Sequence, residues 1–216
     1  MQIWLDTIDL DTVKAAADLG ILSGITTNPG ILAEAANVKE ALQSLLSAQH
    51  GPIAVQVASV ETKDIIAEGR KIFAFSERLI VKVPVGKKGL PAIRQLRKEN
   101  IPVMATAVLE AAQAIIAAAF EANYIAIYFS HMENSEESLK VINKLLETTE
   151  TKILAASLKH LDHIIACAEI GIEAITIKSG LFHQLTDYPQ ADNFTEELLS
   201  KWQERQNGRT VGELLS

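Results

Sequence analysis

Short β-branched runs alternate with longer stretches of helical periodicity from one end of the chain to the other. The runs predicted as strands are Ile3–Asp6, Gly24–Thr27, Ile53–Val57, Leu79–Val83, Val103–Thr106, Tyr124–Tyr128, Lys152–Ala156 and Ala174–Ile177. Their starts recur at intervals of roughly 20 to 30 residues, the length of a β-α unit. Eight such units predict a closed parallel sheet, a single (β/α)₈ TIM barrel, rather than an open one. The intervening segments carry helix punctuation. Asp9 or Asp11 can cap the first helix, with Gly20 at its C-terminal end. Leu161, Ile164, Ile165 and Ala168 fall at i, i+3, i+4 and i+7 before Gly171, and Glu110–Ala122 is apolar on most sides. No linker divides residues 1–216, so one barrel domain is expected. The stretch 194–206 reads as an additional C-terminal amphipathic helix with no strand of its own. Its stripe of Phe194, Leu198, Leu199 and Trp202 needs cover, which predicts packing on a neighbouring subunit of a homo-oligomer.

Strand alternation also locates candidate chemistry. In Leu79-Ile80-Val81-Lys82-Val83-Pro84-Val85, Val81 and Val83 share one face and Lys82 takes the other. If the valines lie under the helices, Lys82 points into the barrel. Desolvation there disfavours the ammonium, and the neutral amine is the form that attacks a carbonyl. The competing reading is an interior lysine paired with an acid for packing. The same parity gathers Asp6, Asn28, Gln56, Thr106, Tyr128 and Ser157 at the C-terminal ends of six other strands, where barrel active sites lie. Singly, such residues act as caps or turns. Spacing alone does not bring them together.

These segments carry a resemblance. Leu5-Asp6-Thr7, Gly24-Ile25-Thr26-Thr27-Asn28-Pro29, Val81-Lys82-Val83-Pro84, Ala105-Thr106-Ala107-Val108 and Leu154-Ala155-Ala156-Ser157 occur in order over nearly the whole chain. In them the chain resembles fructose-6-phosphate aldolase and the short transaldolase-like proteins, a family of class I Schiff-base aldolases. The resemblance implies that Lys82 forms the imine and that Tyr128 is the general acid/base, through a water held by Gln56 and Thr106. It implies that Asp6 and Asn28 hold substrate hydroxyls, with Thr26 beside them, and that Ser157, His131 and Lys159 form the distal substrate site. Full transaldolases carry Glu and Phe where this chain has Gln56 and Tyr128, which favours aldol cleavage or addition with a dihydroxyacetone donor over three-carbon transfer. The family's arginine after Tyr128 is replaced by His131 in Phe129-Ser130-His131. A histidine offers fewer donors and less charge than a guanidinium, which weakens the case for a phosphorylated substrate over a neutral sugar. The acidic loop Met132–Glu137 adds negative charge nearby. By resemblance the oligomer is a pentamer or decamer.

Composition narrows the partners. A net charge of −7 supplies no basic stripe for nucleic acid. The longest apolar stretch, Ala111–Ala119, is too short to span a membrane. The single cysteine, Cys167, allows no intrachain disulfide and reads as a small buried hydrophobe, and an N-terminus without a basic leader predicts a cytoplasmic protein. His160 and His163 lie three apart on a predicted helix and read as a solvated pair rather than a metal site. Lys87-Lys88 reads as a solvated turn. No cofactor and no metal is expected, because an imine performs the electron withdrawal itself. The alternatives are a transaldolase, a catalytically inactive binding barrel, and a phosphosugar isomerase or epimerase on the same fold.

Overall fold

The computed structural model describes residues 1–215. Eight parallel strands close into a barrel in sequence order. They are β1 (Gln2–Asp6), β2 (Leu22–Thr26), β3 (Ile53–Gln56), β4 (Leu79–Pro84), β5 (Val103–Val108), β6 (Tyr124–Tyr128), β7 (Lys152–Ala156) and β8 (Ala174–Ile177). The helices that follow them are α1 (Leu10–Asp18), α2 (Pro29–Ala33), α3 (Val38–Ala48), α4 (Thr62–Phe75), α5 (Gly89–Lys98), α6 (Ala111–Ala119), α7 (Ser135–Leu146), α8 (Leu161–Ile170), α9 (Ser179–Thr186), α10 (Pro189–Gln206) and α11 (Val211–Leu214). The chain divides into two compact units, Met1–Leu181 and Phe182–Ser216.

In the first unit, register sorts every strand into an inner and an outer face. Trp4, Ala54, Ile80, Met104, Ala126, Leu154, Ala156 and Ala174 form the inner core, with Tyr124 and Tyr128 against it. The Trp4 indole fills the base of the barrel because Gly24, its partner on β2, has no side chain; a Cβ there would lie 2.7 Å from the ring. On the outer face the β4 valines are fully buried, as expected. A Cβ on Gly69 of α4 would approach Val81 Cγ1 to 3.1 Å, and one on Gly89 would lie 3.3 Å from Val83 Cγ1. Both valines therefore lie under helices, and alternation turns Lys82 inward.

The helix ends follow backbone demand. Asp9, not Asp11, caps α1, and its carboxylate accepts the Asp11 N–H. Gly20 and Gly171 follow α1 and α8 at φ +70° and +83°, the left-handed region that glycine enters without a steric penalty. The buried face of α8 is rotated from the predicted one. Ile164 and Cys167 face inward, while Ile165 is 55% exposed. Two apolar neighbours at i and i+1 cannot both face one layer, and the i, i+3 pair won. The helix predicted over Glu110–Ala122 closes earlier, at Ala119, where Phe120 caps it before Glu121 turns to φ +62°. The acidic loop after β6 is shorter than expected. A 3₁₀ turn, Phe129–His131, leads through Asn134 at φ +44° straight into α7. Glu136 and Glu137 are therefore first-turn residues, where helix N–H groups favour carboxylates.

In the second unit, α10 begins at Pro189, five residues before the expected Phe194, because proline's fixed φ suits a first helical position. Phe194, Leu198 and Leu199 are exposed on it. Thr210 and Glu213 close a reciprocal capping box on α11, and Trp202 Nε1 donates to Arg209 O at 2.8 Å. No described helix is long and apolar enough to cross a membrane.

Candidate active site

The centre of the candidate site is one buried amine. Lys82 is 3% exposed and donates from Nζ to the carbonyl of Thr27 at 3.2 Å. Burial pushes its pKa below the ordinary value, and the charge of Asp6 opposes part of that fall. Asp6 ends β1, in register with Thr26 on β2. Thr26 Oγ1 donates to Asp6 Oδ1 at 2.7 Å and lies 2.8 Å from Thr176 Oγ1 on β8. The end of β2 thus serves both groups: the Thr26 side chain holds the carboxylate, and the Thr27 backbone holds the amine. Thr27 is itself pinned, its hydroxyl and its N–H both donating to Ala54 O.

Two polar side chains flank the amine without partners. Gln56 stands beside Lys82 in the β3–β4 register, and Thr106 stands beside Pro84 in the β4–β5 register. Gln56 Oε1 and Thr106 Oγ1 are buried and make no hydrogen bond among the described residues. A buried oxygen left unsatisfied costs about 1–3 kcal/mol, so such atoms mark places where a water or a ligand group completes the structure. Tyr128 ends β6 on the inner face, half-buried.

The remaining expected residues divide between capping and the rim. Asn28 caps α2, and its Oδ1 accepts the Ile31 N–H at 3.1 Å. His131 is exposed; its ring lies 5.8 Å from that of Tyr128 between centroids, and its Nδ1 is 3.2 Å from Ser157 Oγ. Ser157 sits just past β7 at φ +60°, held by Ser130 Oγ, which donates to its carbonyl at 2.6 Å. The side chain of Lys159 is exposed, and its backbone N–H is given to His163 Nδ1 at 3.3 Å.

The histidine pair differs from its expected form. His160 is the N-cap of α8 rather than part of it, and His163 is half-buried with its ring 4.9 Å from that of Phe129. Burial first, then the neighbouring His160, lowers the pKa of His163. Cys167 is fully buried, and burial pushes its thiol up to about 12, as befits a packing residue. Lys88 is ion-paired to Glu61, so the turn after β4 is stapled as well as solvated. Two further residues bond to this set without a signal in the sequence. Thr176 obeys the same inward parity as the other site residues but lies on a strand where no motif drew attention. Ser130 was noticed only as a departure, because a side chain bonding a distant carbonyl leaves no local pattern.

Residues 3–211 match the family described as Transaldolase/Fructose-6-phosphate aldolase. The chain belongs to this family. It is 31% identical over 210 residues to probable transaldolase 1 of Listeria monocytogenes serotype 4b (strain F2365), covering 94% of this chain and 98% of that one. It is 32% identical over 206 residues to the probable transaldolase of Brachyspira hyodysenteriae, covering 91% and 95%. Among solved structures, it is similar to orotidine 5'-phosphate decarboxylase from Pyrococcus horikoshii OT3, with a TM-score of 0.63 over 82% of this chain and 89% of that one. At 15% identity that likeness concerns the barrel alone.

Proposed function

We propose that the chain is a class I aldolase that cleaves or forms a ketose through an imine on Lys82, with dihydroxyacetone as the donor. The observation that carries this reading is a buried lysine with a lowered pKa and an unpartnered polar oxygen on each adjacent strand, that of Gln56 in register with Lys82 and that of Thr106 in register with Pro84. The neutral amine attacks the ketose carbonyl, and loss of water leaves an iminium. The iminium draws electrons from the adjacent carbon–carbon bond. That bond breaks as a base takes the proton of the β-hydroxyl, releasing an aldehyde and leaving an enamine. Protonation and hydrolysis return dihydroxyacetone and the amine. Tyr128 serves as the acid/base through a water bridging Gln56 and Thr106. The Asp6 carboxylate stabilises the iminium by charge. Asn28 contributes Nδ2 to a substrate hydroxyl, since its Oδ1 is committed to the α2 cap.

The distal end of the substrate meets His131, Ser157 and Lys159. His131 and Ser157 are bonded to each other, and the Lys159 N–H is committed to His163. This rim suits a hydroxyl or a weakly held anion better than a tightly bound phosphate. A transferase reading is favoured by the relatives, which are named probable transaldolases. The two separate in one assay. A lyase releases free dihydroxyacetone from a ketose without an acceptor aldehyde, and a transferase needs the acceptor.

The deciding experiment is borohydride reduction in the presence of dihydroxyacetone or fructose 6-phosphate, with peptide mapping of the product. The expected result is a covalent adduct on Lys82, absent from Lys82→Met. Folded protein that traps neither compound would exclude an imine with these donors and favour a binding barrel or a different donor.

We further infer a homo-oligomer in which α10 packs on a neighbouring subunit, because Phe194, Leu198 and Leu199 are exposed along it. Truncation after Asn193 should lower the number of subunits per assembly measured by sedimentation. An unchanged subunit number would remove that role from the helix.

A further inference from the structure

The barrel interior contains a hydrogen-bond chain that ends on Asp6 and starts on a strand the catalytic reading does not use. Thr26 Oγ1 has one proton, which it donates to Asp6 Oδ1 at 2.7 Å. The 2.8 Å contact between Thr26 and Thr176 must therefore run the other way, with the Thr176 hydroxyl donating and Thr26 accepting. Both threonines are buried, Thr26 completely and Thr176 to 3% exposure, so water does not compete for either proton. The direction is set throughout: β8 donates to β2, and β2 donates to the carboxylate on β1. The register explains the meeting. Thr176 pairs with Trp4 and Asp6 with Thr26, which puts all three side chains on the inner face of three adjacent strands.

We propose that Thr176 is a positioning residue for the reaction at Lys82, acting through Thr26 to hold the Asp6 carboxylate in one orientation. This inference rests on the imine reading of Lys82. The physical logic is that of a buried polar chain in which each bond polarises the next. A Thr26 hydroxyl that already accepts a proton is a better donor to Asp6 and loses its alternative rotamers. The carboxylate is then fixed before charge develops on the lysine nitrogen, and it need not reorganise during the reaction. Substrate affinity through the rim and through Asn28 has no part in this chain, so its loss should appear in turnover rather than in binding.

Three variants in the full-length protein test this, assayed by fructose 6-phosphate cleavage and by dihydroxyacetone addition to glyceraldehyde. Thr176→Val keeps the volume and removes the donor, Thr176→Ala removes both, and Thr176→Ser keeps the donor. The expected result is a kcat lowered about 10-fold in Thr176→Val and Thr176→Ala, KM changed less than about 2-fold, and Thr176→Ser within about 2-fold of the parent. Thermal unfolding identifies which variants are folded at the assay temperature, and the loss must appear in each of those. A folded Thr176→Val with parental kcat overturns the proposal, as does a Thr176→Ser that loses as much as Thr176→Ala. Borohydride trapping on the parent separates the two levels of inference. An adduct on Lys82 together with an unaffected Thr176→Val removes only the positioning role, whereas no adduct removes the imine and this role with it.

Discussion

The C-terminal ends of β5 and β7 share one backbone and do different work. On each an inward residue, Thr106 or Ala156, is followed by one in the left-handed region: Ala107 at φ +57°, within β5 where its register to β6 shifts, and Ser157 at φ +60°, just past β7. Neither is glycine, so each conformation costs on the order of 1 kcal/mol and persists because the turn is tied down. The tie is the same in both. The helix begins four residues later, and the side chain at its third position reaches back to a backbone N–H. Gln113 Oε1 accepts from Leu109 N at 2.8 Å, and His163 Nδ1 accepts from Lys159 N at 3.3 Å. What differs is the chemistry attached. On β5 the polar group is Thr106, completely buried and, among the described residues, unpartnered beside the lysine strand. After β7 the inward residue is alanine, and the polar groups Ser157 and Lys159 lie at the rim with His131. One scaffold supplies the dry interior through one copy and the wet rim through the other. The interior copy is braced by an amide that does not titrate, and the rim copy by an imidazole that does.

Thr106→Val should break the comparison most severely, lowering kcat about 10²-fold by removing one anchor of the proton-carrying water. The matching change in the other turn, Ser157→Ala, should raise KM by less than about 5-fold and leave kcat in place. Equal effects on kcat from the two would show that the interior and the rim are not divided in this way. Next in size, His131→Arg should lower KM for a phosphorylated aldehyde about 10-fold relative to its unphosphorylated form, since a guanidinium binds phosphate through two parallel bonds. An unchanged preference would place the distal end of the substrate away from His131.

The smallest effect concerns the braces. Burial and the charge of His160 hold the pKa of His163 below its ordinary 6.5, while Asp162 and Glu136 partly oppose this and Lys159 adds to it. The unfolded chain protonates this ring near 6.5, before the folded one does. Stability is therefore lost as pH falls from about 6.5 through the lowered folded value, and it is retained above that window. His163→Gln copies Gln113 and should flatten that acid dependence, moving the unfolding midpoint near pH 5.5 by on the order of 1 °C. A variant with the parental pH dependence would show that His163 does not set it.

Sequence alone determined the barrel. Eight β-branched runs at regular spacing admit few arrangements, and strand alternation is local geometry, so the inward direction of Lys82, Gln56 and Thr106 was legible from their neighbours. Helix ends were legible where one residue dictates the backbone, as at Asp9, Gly20 and Gly171, and less so on α8, where Ile164 and Ile165 compete for one face and only packing chooses. Tertiary structure alone decided what each polar residue does with its hydrogen bonds. Asn28 spends an oxygen on a cap, Ser130 reaches the Ser157 carbonyl, and the half-buried His163 braces a turn. Thr176 meets Thr26 across 150 residues of chain, because closing the barrel sets β1 against β8 and turns the inward residues of β2 and β8 toward each other. A residue's face follows from its neighbours in sequence, but its partner follows from closure, and closure is a property of the whole sheet.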